Sequence, residues 1–344
     1  MSLGFLSPSY LLWVFFYFCR CDYCSYYLNM RSPTLAQTER YEQHIVSKDE
    51  CKLAYNIDIE DPSKIVVSFD LQQILQFNKL KNTKQSFYKS RMVVYNLCFF
   101  IKNTSKGYCL TWSQVEGGRG SNEIATCLKY FVSTYLADSR HIVFYSDGCP
   151  GQNKNQAVVA CLADIAHNSP AGQVVDIKFF ETGHSHMDVD SVHACIERAS
   201  QGKEVGTPSD WVTIFQSAKV EGEQYEVDEL RHHQFTDWKQ VALDALKINA
   251  LEGISGMHWI RAENSGGRVE IWWGEGCLGP LRKVDWRKVG GQPSWNDHPR
   301  AYQARLPLPK KRYEDSLSLV PLLRNRGNAE LYFWDVASCV PADS

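Results

Sequence analysis

The sequence carries almost no net charge: 37 Lys and Arg stand against 39 Asp and Glu in 344 residues, a formal balance of −2. A chain that binds nucleic acid along its whole length would need a large positive excess, so that class is excluded. Internal repeats and low-complexity tracts are absent, which excludes a solenoid and a long disordered linker. No apolar run is long enough to be read as a membrane span. The candidate, Leu11–Cys19 (LLWVFFYFC), stops short and is followed by Arg20. It also lacks a charged leader, so a secretory signal is only the alternative to a nuclear or cytoplasmic location. No HExxH pair is present. Proline is missing between Pro62 and Pro150. That stretch is therefore free to pair as strands around one helix.

The twelve cysteines are scattered rather than ordered into a disulfide framework. Cys98, Cys127, Cys161 and Cys195 sit in apolar runs, where a thiol behaves as a small hydrophobe. Cys21-x-x-Cys24 reads as half of a zinc site. Cys19 would add a third thiolate, but structural zinc takes four ligands and no partner half is evident.

What is present is a set of short apolar runs ending in acids. Ile65–Phe69 (IVVSF) reads as a buried strand and ends in Asp70. Met92–Ile101 and Gly107–Trp112 read as neighbouring strands, joined as a hairpin by the polar turn Lys102–Lys106. Gly117–Gly120 is a loop. Ser121 is the expected cap of a helix Asn122–Leu136, with Glu123 in its first turn as a partner of the helix dipole or, alternatively, a fourth carboxylate facing the site. Ile142–Tyr145 is another buried strand and leads to Asp147. Gly148, Pro150 and Gly151 then make a turn, and Asn155 opens a helix Gln156–His167. Val174–Phe180 is the fifth strand. Beyond it Asp190, His193 and Glu197 lie three and four residues apart and share one helix face.

Strand-end Asp70 and Asp147, with Asp190 and Glu197 on a helix, form a carboxylate cluster suited to Mg²⁺ or Mn²⁺. Asp70, Asp147 and Asp190 are the expected metal ligands, with Glu197 as an accessory acid. Two such ions clamp the attacking and leaving oxygens of a phosphoryl transfer. Arg119, Asn153 and Lys154 are expected to meet phosphate. Asp188 is expected to cap the helix. Cys149 has no fixed base beside it and is a poor nucleophile candidate. From Leu281 to Arg312 nine Lys or Arg face only Asp285 and Asp297. Lys310, Lys311 and Arg312 are the expected backbone contacts there. The interleaved Trp286, Trp295, Tyr302 and Tyr313 are either stacking platforms or core.

The blocks VVSFDLQQ, RGSNEIATCL, FYSDGCPGQNKN, FFETGHSHMDVDSVHACIE and PLPKKRYEDSLSLV occur in this order between Val66 and Val320. With CDYC at Cys21–Cys24, the chain resembles an animal family of transposon-derived proteins. The central domain of that family resembles the ribonuclease-H-like core of DDE/DDD transposases and integrases. The resemblance implies a mixed α/β sheet flanked by helices, with Asp190 rather than Asp188 as the third acid. It also implies cysteines upstream of Cys21, so an atypical or truncated amino terminus on a CxxC remnant is expected.

Three segments are expected: 1–60 with one exposed linker helix within Ser32–Asn56, a ribonuclease-H-like core 61–203, and a basic subdomain 204–344. That last part would hold helices at Asp210–Ala218 and Phe235–Leu246 and a small β-rich unit. The expected function is two-metal phosphodiester cleavage or strand transfer on DNA, with RNA as a further substrate and no membrane partner. The alternative is a catalytically inactive domesticated protein that binds nucleic acid or protein. A third reading is a zinc hydrolase using His184 and His193.

Overall fold

The computed structural model describes residues 21–77, 79–80, 86–169, 172–247, 249–289, 295, 297–324 and 326–341. The apolar stretch before Arg20, and Cys19 with it, lie outside these residues.

The centre is a mixed, ten-stranded sheet. Strands β1 (Ile65–Leu71), β3 (Val93–Ile101) and β4 (Lys106–Ser113) pair antiparallel, with the short β2 (Leu75–Gln76) on β3. The β3–β4 hairpin turns at 102–105, as the polar run required. On the other side of β1, strands β5 (His141–Ser146) and β6 (Val174–Phe179) add in parallel. The connections are α3 (Ser121–Tyr135), between β4 and β5, and α4 (Gln156–Asn168), between β5 and β6.

The period of two along β1 divides the core. Val67, Phe69 and Leu71 face α3 and α4, in one apolar layer with Phe99, Phe131 and Phe144. Ser68 and Asp70 face the other way. There α5 (Val189–Ser200) lies over β1 and β3, and its Val189, Val192 and Ile196 join Val66, Val143 and Tyr145 in the second layer. Helix α6 (Pro208–Gln216) continues that layer through Trp211 and Phe215. Helix α7 (Trp238–Ala245) instead covers α4.

The carboxy-terminal strands build no separate unit. β8 (Trp259–Ser265) pairs with β6, β9 (Arg268–Gly274) with β8, and β10 (Arg282–Val284) with β9, all antiparallel. β7 (Glu226–Glu229) closes the opposite edge on β4. An expected boundary at 203/204 thus runs through one sheet: β6 would otherwise leave an apolar edge unpaired. Helices α8 (Lys310–Leu317) and α9 (Arg326–Val336) return to the second layer, where Leu323, Ala329 and Phe333 are buried. The aromatic residues of the basic stretch are structural. Trp286 is buried, Trp295 packs on the first layer, and the Tyr302 hydroxyl donates to Glu123.

At the amino terminus, α1 (Asp22–Leu28) packs on α2 (Leu35–Glu60). Thr34 caps α2, accepting from the Gln37 amide while Gln37 returns a carbonyl to Thr34 N–H. This helix is not simply exposed. Cys51, Ala54 and Asp58 are buried against the sheet.

No described helix is long and apolar enough to cross a membrane.

Candidate metal and nucleic-acid site

Asp70 is near the end of β1, two residues beyond Ser68 on the face covered by α5. The Ser68 hydroxyl accepts from the Val189 amide at 3.1 Å, which fixes the start of α5 against β1. That contact brings the first turn of α5 to the strand end. Asp190 and His193 stand there, one turn apart. One ligand atom each from Asp70, Asp190 and His193 lies within 4.8 Å of the others. The Asp190 carboxylate also accepts from the Met187 amide at 3.0 Å, so its direction is set by the turn that begins the helix.

The electrostatics record this crowding. Burial, and then the charge of Asp147, push the Asp70 carboxyl up to about 7; Asp190 adds to the rise and Arg119 opposes it. Burial lowers His193 to about 4, against the pull of Asp190. The ring is therefore neutral at physiological pH. Among the described residues its Nε2 is buried with no hydrogen-bond partner. An orphaned ring nitrogen beside two carboxylates is an unfavourable burial unless something accepts its lone pair or proton. The set fits a divalent cation: two oxygen ligands and one imidazole.

Asp147 follows β5 on the same face, two residues past Tyr145, but is not in the tight group. Asn153 Nδ2 donates to its Oδ1 at 2.6 Å, and the Cys149 amide lies at 3.4 Å. The loop after it is largely self-satisfied. The Cys149 carbonyl accepts from the amides of residues 152, 153 and 154. Asn155 caps α4 by accepting from Val158 N, while its amide donates to Pro150 and Gln152 carbonyls. The polar run is thus spent on shaping the turn.

Other expected residues fare differently. Glu197 is exposed and stays outside the cluster. It shares the azimuth of Asp190, but it is about 10 Å further along the helix, away from the strand ends. Lys154 is buried, with its ammonium on the Ser255 carbonyl at 2.9 Å and over the Phe179 ring, so it is not a free phosphate contact. Asn153 serves Asp147 rather than an external group. Asp188 makes no side-chain cap; it accepts from Lys102 Nζ at 2.8 Å and from the Tyr55 hydroxyl. Glu123 holds the amides of Gly118 and Gly120, the local role expected of it. Arg119 is exposed and near enough to Asp70 to act on its charge. Lys310 and Lys311 are exposed at the start of α8, whereas Arg312 is held by Gln114 and Ser90. His184 is not with His193. It belongs to a second cluster with Cys21, Cys24 and His44, so a hydrolase site built jointly on His184 and His193 is not formed. His44 had no sequence signal: a lone histidine in a polar helix is unremarkable until the fold places it.

The family profile of a domain of unknown function, DUF7869, matches residues 64–272. The chain belongs to the DUF7869 family. No curated relative and no solved structure matches it. The DUF7869 segment runs from the start of β1 into β9, so it contains Asp70, Asp147, Asp190 and His193 together with the strands that extend the sheet beyond β6.

Proposed function

We propose that this DUF7869 protein is transposon-derived, that its core is ribonuclease-H-like, and that Asp70, Asp190 and His193, with Asp147 beside them, form a divalent-metal site for phosphodiester cleavage or strand transfer. The observation that carries this reading is convergence. Residues 120 positions apart in sequence, on β1 and α5, present ligand atoms within 4.8 Å. The order of elements supports it too: an antiparallel meander, then a helix, then a parallel strand beside β1 is how the ribonuclease-H-like fold is laid down.

The donors suit Mn²⁺ better than Mg²⁺, because imidazole is a poor ligand for the harder ion. A cation there would stabilise charge on the attacking and departing oxygens. The side chains do the rest. Neutral His193 keeps a lone pair available, Asn153 orients Asp147, and Arg119 supplies positive charge at the rim. Lys310 and Lys311 give a phosphate backbone a further solvated contact.

The tight group leaves Asp147 out, and that favours a second reading: one ion held, nucleic acid bound, and no cleavage. The full chain, titrated with Mn²⁺ and Mg²⁺ and assayed for nicking of labelled duplex DNA, single-stranded DNA and RNA, separates the two. Nicking should depend on Mn²⁺ and fall roughly 100-fold or more in Asp70→Asn and Asp190→Asn with the fold intact. Wild-type nicking in either variant overturns the assignment. Mn²⁺ binding without nicking moves the protein to the second reading.

A further inference from the structure

The geometry points to a structural Zn²⁺ site formed by Cys21, Cys24, His44 and His184, which clamps α1 and α2 to the loop between β6 and α5. The ligand atoms come from three separate parts of the chain and all lie within 4.8 Å of one another. Cys21 Sγ is 3.4 Å from His44 Nε2, and Cys24 Sγ is 3.2 Å from His184 Nε2. The two Nε2 atoms are 3.0 Å apart. Zn–S bonds of about 2.3 Å and Zn–N bonds of about 2.0–2.1 Å make a tetrahedron with edges of roughly 3.3–3.8 Å. The Cys21–His44 contact falls within this range, and the Cys24–His184 and His44–His184 contacts lie slightly below it.

The surroundings fit a metal better than a hydrogen-bonded cluster. Both cysteines are buried, Cys21 at 3% and Cys24 at 2% exposure. His44 Nδ1 lies 3.1 Å from Glu181 Oε1, which places its proton on Nδ1 and turns the Nε2 lone pair inward. Glu181 is itself fixed, accepting from Ser47 Oγ at 2.9 Å and facing His258 Nε2 at 3.2 Å. A carboxylate that orients a ligand histidine from behind is the usual outer support of a zinc site. Thiols are weak hydrogen-bond partners, so a buried pair facing two ring nitrogens gains little without an ion.

The loop is built for the approach. Gly183 has φ +80°, and a Cβ there would fall 2.9 Å from both Cα and Cβ of Cys21. Only glycine permits both the backbone turn and the contact. Four protein ligands close the coordination sphere and leave no position for substrate, so the role is structural. Binding Zn²⁺ releases the two thiol protons. The ion would cross-link helices outside the DUF7869 match to the segment that leads into Asp190 and His193.

The full chain, purified in the presence of zinc and dialysed, is measured for metal content and for Co²⁺ absorption. About one Zn²⁺ per chain is expected, with Co²⁺ giving the visible bands of a tetrahedral thiolate site. Cys24→Ser and His44→Ala should lose both. His44→Cys should keep the ion and strengthen the sulfur-to-Co²⁺ charge transfer, which shows that loss in the other variants is not a failure to fold. Asp190→Asn should keep the zinc, so failure of the proposed nuclease site leaves this result untouched. Chelation should lower Tm by roughly 10 °C and speed hydrogen exchange in residues 22–60. A chain that purifies without zinc, a Cys24→Ser protein with an unchanged Co²⁺ spectrum, or a Tm indifferent to chelation would each overturn the proposal.

Discussion

Burial decides what each acid in this chain does, and Asp176 shows it most clearly. Its carboxylate is 1% exposed on β6, an environment that pushes a carboxyl up. Arg261 answers with two bonds, Nε at 2.8 Å and Nη2 at 2.9 Å. Trp259 Nε1 donates at 2.8 Å and His141 Nε2 lies at 2.7 Å. These partners outweigh burial and hold the group at about 2. The folded value is below the unfolded one, near 3.9, so the protein gains stability above that unfolded value. The gain, of order 2 kcal/mol, is lost as pH falls from about 4 to about 2. Urea unfolding across that window should show the loss in the wild type and not in Asp176→Asn. Asp176→Ala should cost about 3 kcal/mol at neutral pH, because the half-buried Arg261 loses its carboxylate and His141 and Trp259 lose an acceptor. An equal pH slope in wild type and Asp176→Asn would refute this account. Asp70 is the opposite case, with too few partners and too many like charges. Its place at a strand end was legible in the sequence. The failure of Glu197 was not, since helical spacing gives a side chain's azimuth and not its distance from the strand edge; nor was that of Lys154, whose loop folds its ammonium onto the Ser255 carbonyl, 101 residues away.

At the scale of elements, the strands and the helices between them were readable because their apolar residues follow simple periods. Helix α2 was not. Its buried face is made of Cys51, Ala54 and Asp58, which hydropathy does not single out. What docks it is polar. Asp58, 3% exposed, accepts from Lys178 Nζ at 2.7 Å, Lys64 Nζ at 2.9 Å and Tyr145 OH at 2.6 Å. Lys178 is on β6 and Tyr145 on β5, so one carboxylate joins the helix to two central strands. Asp58→Ala leaves the ammonium of Lys178, itself 3% exposed, beside a hole. The expected cost is about 3–5 kcal/mol, with the last two turns of α2 becoming open to hydrogen exchange and proteolysis before the sheet unfolds. Uniform exchange across α2 and the sheet would mean that the helix is held by something other than this pin.

At the scale of the molecule, the sheet decides what can be separated. The sequence suggested a core ending at 203 because the periodic pattern changes there. Pattern reports local structure, whereas the pairing of β8 with β6 joins positions 81 to 89 residues apart, from Lys178 with Trp259 to Val174 with Glu263. No local signal announces that. The consequence is testable by cutting the chain. Residues 61–203 alone would lose β8 from the β6 edge, β7 from the β4 edge and α7 from the outer face of α4. Ile177 and Val175 on β6, fully buried in the whole chain, would then line an open strand edge. Loss of Ile260, Ala262, Trp238 and Val241 would also open the first apolar layer. This fragment should be insoluble or molten, with far-UV signal retained, near-UV signal lost and exposed surface that binds a hydrophobic dye. Residues 61–289 keep β6 to β10 paired and α7 in place. That longer piece should recover more of the near-UV signal, although the face covered by α8 and α9 stays open. A soluble 61–203 fragment that melts cooperatively would instead make the outer strands an addition to a self-sufficient core.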